Sequence, residues 1–248
     1  MLGWGWNGVG QLASVNTTVA PSGSSTGLVA YGYDGWGRRV RRSLTRSGVT
    51  TTTGYLHAGD HVVAELSTTG AVLADYAWHP GVDAPHSLRR NSQIYYYTQE
   101  PEGNVTALLG ASGTVANRYG YGAFGGLVSL QETVPNPFRF KGTAYDSTAR
   151  LYHMRARDYD PGLGRFVSED PIGLEGGINP YAFAGNDPVN NRDPSGTDLL
   201  VCTPRWGRAN YDYIENGVQY IIRRYTIVGY DCAWQQSGGP GVGADNTS

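Results

Sequence analysis

Aspartates that directly precede prolines are the residues of this sequence with the clearest capacity for chemistry. Four occur between residues 136 and 196, namely Asp160, Asp170, Asp187 and Asp193. A carboxylate can serve as a general base or acid. In an Asp-Pro-x-Gly sequence, however, the aspartate caps a turn and the glycine takes a positive φ. From residue type alone, each aspartate therefore predicts a turn.

Other chemical motifs are weak. His57 and His61 lie four residues apart in a predicted strand-turn-strand stretch, where that spacing does not converge on a metal. The sequence has no Ser-His-Asp motif and no phosphate loop. We therefore expect neither a metal nor another cofactor. The densest basic run is Arg38, Arg39, Arg41, Arg42 and Arg46. It is predicted to be a solvated face, and we expect no nucleic-acid partner.

Repeated strand-and-turn units organise the first half of the chain. The segment from Trp6 to Leu12 aligns with that from Tyr33 to Arg39, and more loosely with that from Tyr119 to Gly126. In each of the first two, an Asn or Asp follows an aromatic residue and precedes glycines, which predicts a strand that ends in a tight turn. Alternating segments lie between them, with a hairpin predicted at 61–78. Such units must pair with one another to bury their faces.

The residue composition of the chain changes twice after the repeats. Residues 136–196 combine many turns with tyrosine and phenylalanine, which predicts a packed, irregular cap; only 148–157 and 179–184 suggest one or two helical turns. After Thr197, a hairpin is predicted around an Asn-Gly turn at 216–217. Cys202 and Cys232 flank it and are candidates for one disulfide. Residues 237–248 are small and polar and are predicted to be disordered.

Composition excludes several classes of protein. Of 248 residues, 36 are glycine and 13 are proline, and 12% are aromatic. A helix bundle is disfavoured by this composition and a disordered chain by the low charged fraction, so an all-β fold is predicted. The net charge of −2 gives no general attraction to nucleic acid. The chain starts without a signal-peptide pattern, and no stretch is long and apolar enough for a membrane span.

One ordered string of motifs resembles a known family. It runs from Asn136-Pro137-Phe138-Arg139-Phe140-Lys141-Gly142, through 151–161 and the Gly164-to-Leu174 segment, to Asp193-Pro194-Ser195-Gly196. This string resembles the core domain of RHS-repeat proteins, and the aromatic-Asp copies upstream resemble that family's YD repeats. The resemblance covers roughly residues 4–197. It implies a spiralling antiparallel β-shell region at 1–135, an irregular core-domain end-cap at 136–197 and a variable tail at 198–248.

The resemblance also implies a function. RHS proteins are shells that enclose a toxic C-terminal segment, and the core domain of many members cuts the chain after its second Asp-Pro-x-Gly. Residue by residue, the family's pair of catalytic carboxylates corresponds to Asp170 and Asp193, and its nearby arginine to Arg157. Two close carboxylates can share one proton and act as base and acid. Arg157 would hold one carboxylate ionised, stabilise the oxyanion or clamp strands.

The expected scissile bond joins Thr197 and Asp198, where Thr197 stands in place of the family's usual leucine. Three hypotheses remain open. The chain is a self-cleaving shell fragment, a structural module with an inactive acid pair, or the carrier of a small toxin in its last 51 residues. The partners implied are the rest of a shell or the chain's own tail, an immunity protein and a secretion adaptor. We expect a protein made in the cytoplasm and exported by a specialised route or held at the cell surface.

Overall fold

The structure is a computed structural model. It describes the backbone of residues 2–17, 27–197, 199–215 and 218–235, and the side chains of residues 3–17, 27–174 and 177–197. Asp198 and the end predicted to be disordered lie outside the described residues. The described residues form strands, turns and three single-turn 3-10 helices at Phe140–Gly142, Gly173–Gly176 and Ala184–Asn186. No helix in these ranges is long and apolar enough to cross a membrane.

Antiparallel strands dominate, as the composition predicts. In the described ranges, β1 to β12 form one sheet in sequence order, the large sheet. Its strands are β1 (Leu2–Trp6), β2 (Leu12–Thr17), β3 (Gly27–Tyr33), β4 (Arg39–Arg46), β5 (Val49–Ala58), β6 (His61–Leu66), β7 (Val72–Trp78), β8 (Pro85–Arg90), β9 (Gln93–Gln99), β10 (Val105–Gly110), β11 (Val115–Tyr121) and β12 (Leu127–Glu132). The predicted meander and the hairpin at 61–78 are confirmed.

One turn geometry recurs along the large sheet. A glycine with φ near +80° donates its N–H to the carbonyl three residues earlier. The turn occurs at 7–10, 34–37, 67–70, 100–103, 110–113 and 122–125. In the first two, Asn7 and Asp34 accept additional backbone N–H groups through their side chains, at 2.9 to 3.1 Å. The sequence repeats therefore encode turns that join neighbouring strands.

Two smaller sheets follow. The first contains β13 (Ala144–Asp146), β14 (Leu151–Met154), β15 (Arg157–Asp160) and β16 (Arg165–Phe166). The second contains β17 (Asn191–Arg192), β18 (Leu199–Glu215) and β19 (Val218–Gln235), in that order. The predicted hairpin is thus present but far longer than its sequence signal. Strand β17 also joins it, through the pairs Asn191–Val201 and Arg192–Leu200.

The two predicted helical stretches are wrong. Residues 148–157 contain a turn, strand β14 and a second turn, because Arg150 and Arg155 adopt φ of 61° and 50°, which a right-handed helix does not allow. Near 179–184, the only regular element is the 3-10 turn that begins at Ala184. There, Ala184 itself has a φ of 51°, so the chain reverses instead of continuing.

We call residues 136–197 the core segment; it packs on one face of the large sheet. In several strands alternate residues are buried on that face, as with Val29 and Tyr31 in β3. The core segment contributes its own aromatic cluster, made of Phe140, Tyr152, Tyr159, Phe166 and Phe183. All five are fully buried. Burial of each side chain contributes roughly 1.5–3 kcal/mol relative to exposure.

Buried ion pairs join the large sheet to the core segment. Arg39 of β4 donates to both carboxylate oxygens of Asp158, at 2.8 and 2.9 Å, and its guanidinium lies 3.7 Å from the ring centre of Tyr31. Arg42 makes a two-point contact with Asp146, at 2.6 and 2.9 Å. The prediction of a solvated basic face is therefore wrong for these two arginines, which reach acids far away in sequence.

Candidate active site

The residues that the resemblance singled out come from three separate parts of the core segment. Arg157 is the first residue of β15, directly after the β14–β15 turn. Asp170 follows β16 in a turn, where its Oδ1 accepts the N–H of Ile172 at 3.0 Å. Asp193 follows β17. Short strands thus bring together three side chains that are far apart along the chain.

One guanidinium nitrogen joins the two aspartates. Arg157 Nη2 lies 2.8 Å from Asp170 Oδ2 and 3.1 Å from Asp193 Oδ2. The three side chains are only 3%, 3% and 5% exposed. Buried charges of this kind are stable only when they are paired. The predicted set is therefore assembled, with the arginine in contact with both carboxylates.

The remaining contacts of Arg157 fix its orientation. Its Nη1 donates to the carbonyl oxygen of Pro180 at 2.9 Å, and its Nε donates to the carbonyl oxygen of Gly196. The guanidinium also stacks on Phe166, 3.7 Å from the ring centre. Arginine has five N–H groups, and these contacts use most of them. The geometry therefore favours Arg157 as an orienting cation over a free donor for an oxyanion.

Burial acts against the charge of Arg157, and the carboxylates act for it. Burial lowers the pKa of Arg157 below its usual value, while Asp193 and Asp170 raise it. An arginine keeps its proton at neutral pH despite such a shift. Two carboxylates and one guanidinium thus meet in this cluster. Carboxylates are groups that can act as a general base or acid.

The β14–β15 turn holds the segment that would be cut, residues 193–197, which we call the cleavage loop. Three consecutive residues of the turn bind three consecutive carbonyls of the loop. Arg155 Nη1 donates to Pro194. The Ala156 N–H donates to Ser195 at 3.1 Å, and Arg157 Nε donates to Gly196. The loop is thereby fixed in register beside the acid pair.

Asp193 also organises the cleavage loop from within. Its Oδ1 accepts the N–H groups of Gly196 at 2.8 Å and Thr197 at 3.1 Å. Gly196 has a φ of 73°, and a Cβ there would lie 2.3 Å from the carbonyl oxygen of Met154. Glycine is thus required at this position for both backbone conformation and space. One carboxylate oxygen of Asp193 caps the loop while the other contacts Arg157.

Thr197 ends the described part of the loop. It is half-buried, and its hydroxyl is 3.1 Å from the Ser195 hydroxyl. Asp198 lies outside the described residues, so the predicted scissile bond is described on one side only. A cavity of about 650 Å³ reaches Asp170, Ser195 and Thr197 from the direction of the large sheet. A space of this size can hold water beside Asp170.

A comparison with protein families decides the relationship. Residues 5–189 match the family described as Teneurin YD-shell. The chain belongs to the Teneurin YD-shell family. The resemblance to RHS and YD-repeat proteins is thereby confirmed, and so is the β-sheet fold that it implied.

Individual relatives agree with this assignment to the YD-shell family. The tRNA3(Ser)-specific nuclease WapA of Bacillus spizizenii is 31% identical over 189 residues, which are 73% of this chain and 8% of that protein. Toxin protein Tse5 of Pseudomonas aeruginosa is 50% identical over 60 residues, which are 24% of this chain and 5% of Tse5. In the crystal structure of TcdB2-TccC3, 10% of the chain aligns with 79% of this one, at 24% identity and a TM-score of 0.63.

The chain spans about a tenth or less of the length of these three proteins. Its shell is homologous to those of toxin proteins.

The remaining Asp-Pro aspartates of this YD-shell chain behave as turn residues. Asp160 Oδ1 accepts the N–H of Gly162 at 2.8 Å, and Asp187 contacts Asn190. The backbone register places Cys202 opposite Cys232. Their side chains lie outside the described set, so the disulfide stays a prediction.

Sequence reasoning missed two residues of the site. Arg155 binds the cleavage loop, and Asp83, from the loop between β7 and β8, binds Arg155 through two contacts at 2.8 and 3.1 Å. Asp83 gave no signal, since it lies in a polar loop without a motif. Arg155 lies two residues before Arg157, in the turn between β14 and β15. Its closeness to Arg157 in sequence was the signal that could have indicated its role.

Proposed function

We propose that this chain is the self-cleaving end of a YD shell, which hydrolyses its own backbone between Thr197 and Asp198. The observation that carries the proposal is the buried contact of one arginine nitrogen with both Asp170 and Asp193, next to Thr197. The Asp193 carboxylate also accepts the Thr197 N–H, which supports a role for Asp193 at the residue that carries the scissile carbonyl.

The reaction is a simple hydrolysis. The acid pair holds one proton between its two members. The ionised carboxylate takes a proton from water as the water oxygen adds to the carbonyl carbon of Thr197. The protonated carboxyl gives its proton to the nitrogen of Asp198, and the carbon–nitrogen bond breaks. The products are a carboxyl group on Thr197 and an amine on Asp198.

Arg157 has a positioning role in this scheme. Its charge offsets one of the two negative charges, so that both aspartates can be buried side by side. Its Nε contact with the Gly196 carbonyl fixes the backbone immediately before the residue that carries the scissile carbonyl. A lysine at this position would keep the charge but could not make these divergent contacts.

The segment released would be residues 198–248, with 1–135 as shell strands and 136–197 as the end-cap. This tail follows the residues that match the family, which end at 189. Relatives of the shell are named as a nuclease and a toxin, which favours a toxic cargo in the tail. An immunity protein, a secretion adaptor, the rest of a shell and export from the cell are parts of the same proposal.

The test is the intact mass of the purified chain under denaturing conditions, followed over days. We expect two species that divide after Thr197. Asp193→Asn should remain a single species, because it removes the charge that must accept a proton. Asp187→Asn is the matched control, since it changes an exposed aspartate in the same Asp-Pro context. Equal processing of the parent and Asp193→Asn would refute the mechanism.

A structural end-cap is the second candidate function. The contacts of Arg157 with the carbonyl oxygens of Pro180 and Gly196 favour it, because they tie β15 to two other parts of the core segment whether or not the aspartates share a proton. Thr197, a polar residue in place of the family's leucine, favours it as well. A parent chain that stays at 26.7 kDa would exclude self-cleavage of this chain and leave the structural end-cap as the function that the contacts support.

A further inference from the structure

Asp83 is distant from the acid pair in sequence, yet it contacts the residue that holds the cleavage loop. It lies between β7 and β8 of the large sheet, is buried, and has a φ of 51°. Its two carboxylate oxygens accept Arg155 Nη2 at 2.8 Å and Nη1 at 3.1 Å. The same Nη1 donates to the carbonyl oxygen of Pro194. One guanidinium thus connects the large sheet to the cleavage loop.

The backbone around Asp83 shows that this connection needs close docking of the core segment. A Cβ at Gly142 would lie 1.9 Å from the carbonyl oxygen of Asp83, so the two backbones touch. Gln99 Nε2 donates to the same carbonyl at 3.3 Å. Asp83 can therefore reach Arg155 only when the core segment is seated on the large sheet.

Arg155 has a second, weaker acidic neighbour. Asp60 Oδ2 lies 4.0 Å from Arg155 Nε, and the Asp60 side chain is 74% exposed. A single contact at this distance in solvent contributes little, whereas the two-point contact with buried Asp83 fixes the plane of the guanidinium. Of the two acids, Asp83 is the one that directs Arg155 toward Pro194.

We propose that Asp83 is a positioning residue for the cleavage loop. Through Arg155, it makes the geometry around Asp170 and Asp193 depend on docking of the core segment against the large sheet. The inference rests on the proposed self-cleavage for its functional meaning. The ordering of residues 193–197 by Asp83 does not depend on whether the bond is cut.

Hydrogen exchange of the cleavage loop tests this ordering directly. The chain is studied with Asp170→Asn in the background, which keeps it intact, and the peptide that contains 195–197 is followed by mass spectrometry. Adding Asp83→Asn should speed exchange of the Gly196 and Thr197 amides about tenfold, since local opening becomes easier. Adding Asp60→Asn, the matched control, should leave exchange unchanged. Equal exchange in the two variants would overturn the proposal.

Two further measurements separate positioning from a general loss of structure. Asp83→Glu keeps the charge and should restore slow exchange at least in part, and amides in β2 and β3 should exchange equally in all variants. Without the Asp170→Asn change, Asp83→Asn should slow self-cleavage about tenfold, because misplaced reacting groups lose rate steeply. If the parent does not cleave, the proposed function fails, while the exchange result still decides the role of Asp83.

Discussion

Two buried arginines of this molecule have different charge surroundings. Arg39 meets one carboxylate, that of Asp158, so its cluster is electrically balanced. Arg157 contacts two carboxylates, those of Asp170 and Asp193. The one-acid cluster joins the sheet to the core segment. The two-acid cluster lies beside the cleavage loop.

The pKa shifts of the two arginines also differ, because burial has different weight at the two places. Burial lowers the pKa of Arg39, but Asp158 and the neighbouring tyrosines more than offset this and raise it well above its usual value. For Arg157, burial outweighs the two carboxylates, and the pKa is lowered. The difference between the two clusters can be tested by removing one acid from each.

The largest expected effect comes from unbalancing the structural pair. Asp158→Asn leaves the Arg39 guanidinium buried without its carboxylate. We expect the free energy of unfolding to fall by about 3–5 kcal/mol. Urea denaturation followed by tryptophan fluorescence measures this. A loss of less than about 1 kcal/mol would mean that the Arg39 cluster is not a principal tie between sheet and core.

Lys141 extends the comparison to a buried cation whose environment disfavours its charge. Burial, followed by the charge of Arg192, lowers its pKa to about 8. Since the unfolded chain binds this proton more tightly, stability should rise as pH increases from about 8 to 10.5, by up to about 3 kcal/mol. Unfolding measured across that range should show the rise in the parent. In Lys141→Met this contribution should disappear, and a persistent rise of equal size would assign it to another group.

The Arg42–Asp146 pair is the opposite case, because it contains a buried carboxylate whose charge is favoured by its partner. Burial raises the pKa of Asp146, but hydrogen bonds and charge from Arg42 outweigh it and lower the pKa to about 2. The pair's contribution, about 2 kcal/mol, should be present above pH 4 and lost as pH falls through 2. Asp146→Asn should therefore differ from the parent at pH 5 and converge with it near pH 2. A constant difference over this range would contradict the assignment.

The smallest effect on stability is expected at the proposed site. Asp170→Asn removes one of the two carboxylates that contact Arg157 and leaves that of Asp193 in place. We expect the free energy of unfolding to change by less than about 1.5 kcal/mol, while self-cleavage stops. Parallel urea denaturation and intact-mass measurements check both. A loss comparable to that of Asp158→Asn would place both arginine clusters in the same structural class.

The large sheet was predictable because the residues that specify its turns and its buried face lie close together in sequence. Asn7 and Asp34 cap turns whose glycines are encoded three residues later, and alternating apolar residues indicate the buried face. The 148–157 stretch was not predictable in this way. Its helical appearance is overridden by positive φ values at Arg150, in a turn closed onto Asp146, and at Arg155, which contacts Asp83 and Pro194.

The site was predictable only in part. Family motifs identified Asp170, Asp193 and Arg157, whereas residue type alone predicted turns, and Asp193 does cap one. The contact between Asp83 and Arg155 depends on how the core segment is seated on the sheet. Likewise, the sequence predicts that Arg39 and Arg42 are solvated, because their partners, Asp158 and Asp146, are remote in sequence.

The pairing of β17 with β18 has a consequence for release of the tail. These strands flank the cleavage loop, so a cut after Thr197 nicks the loop of a hairpin and leaves both arms in place. The Asn191–Val201 and Arg192–Leu200 pairs would still connect the fragments. Scission and departure are therefore separate events. A processed chain should give two masses under denaturing conditions but migrate as one non-covalent complex in native buffer, until the β17–β18 ladder separates.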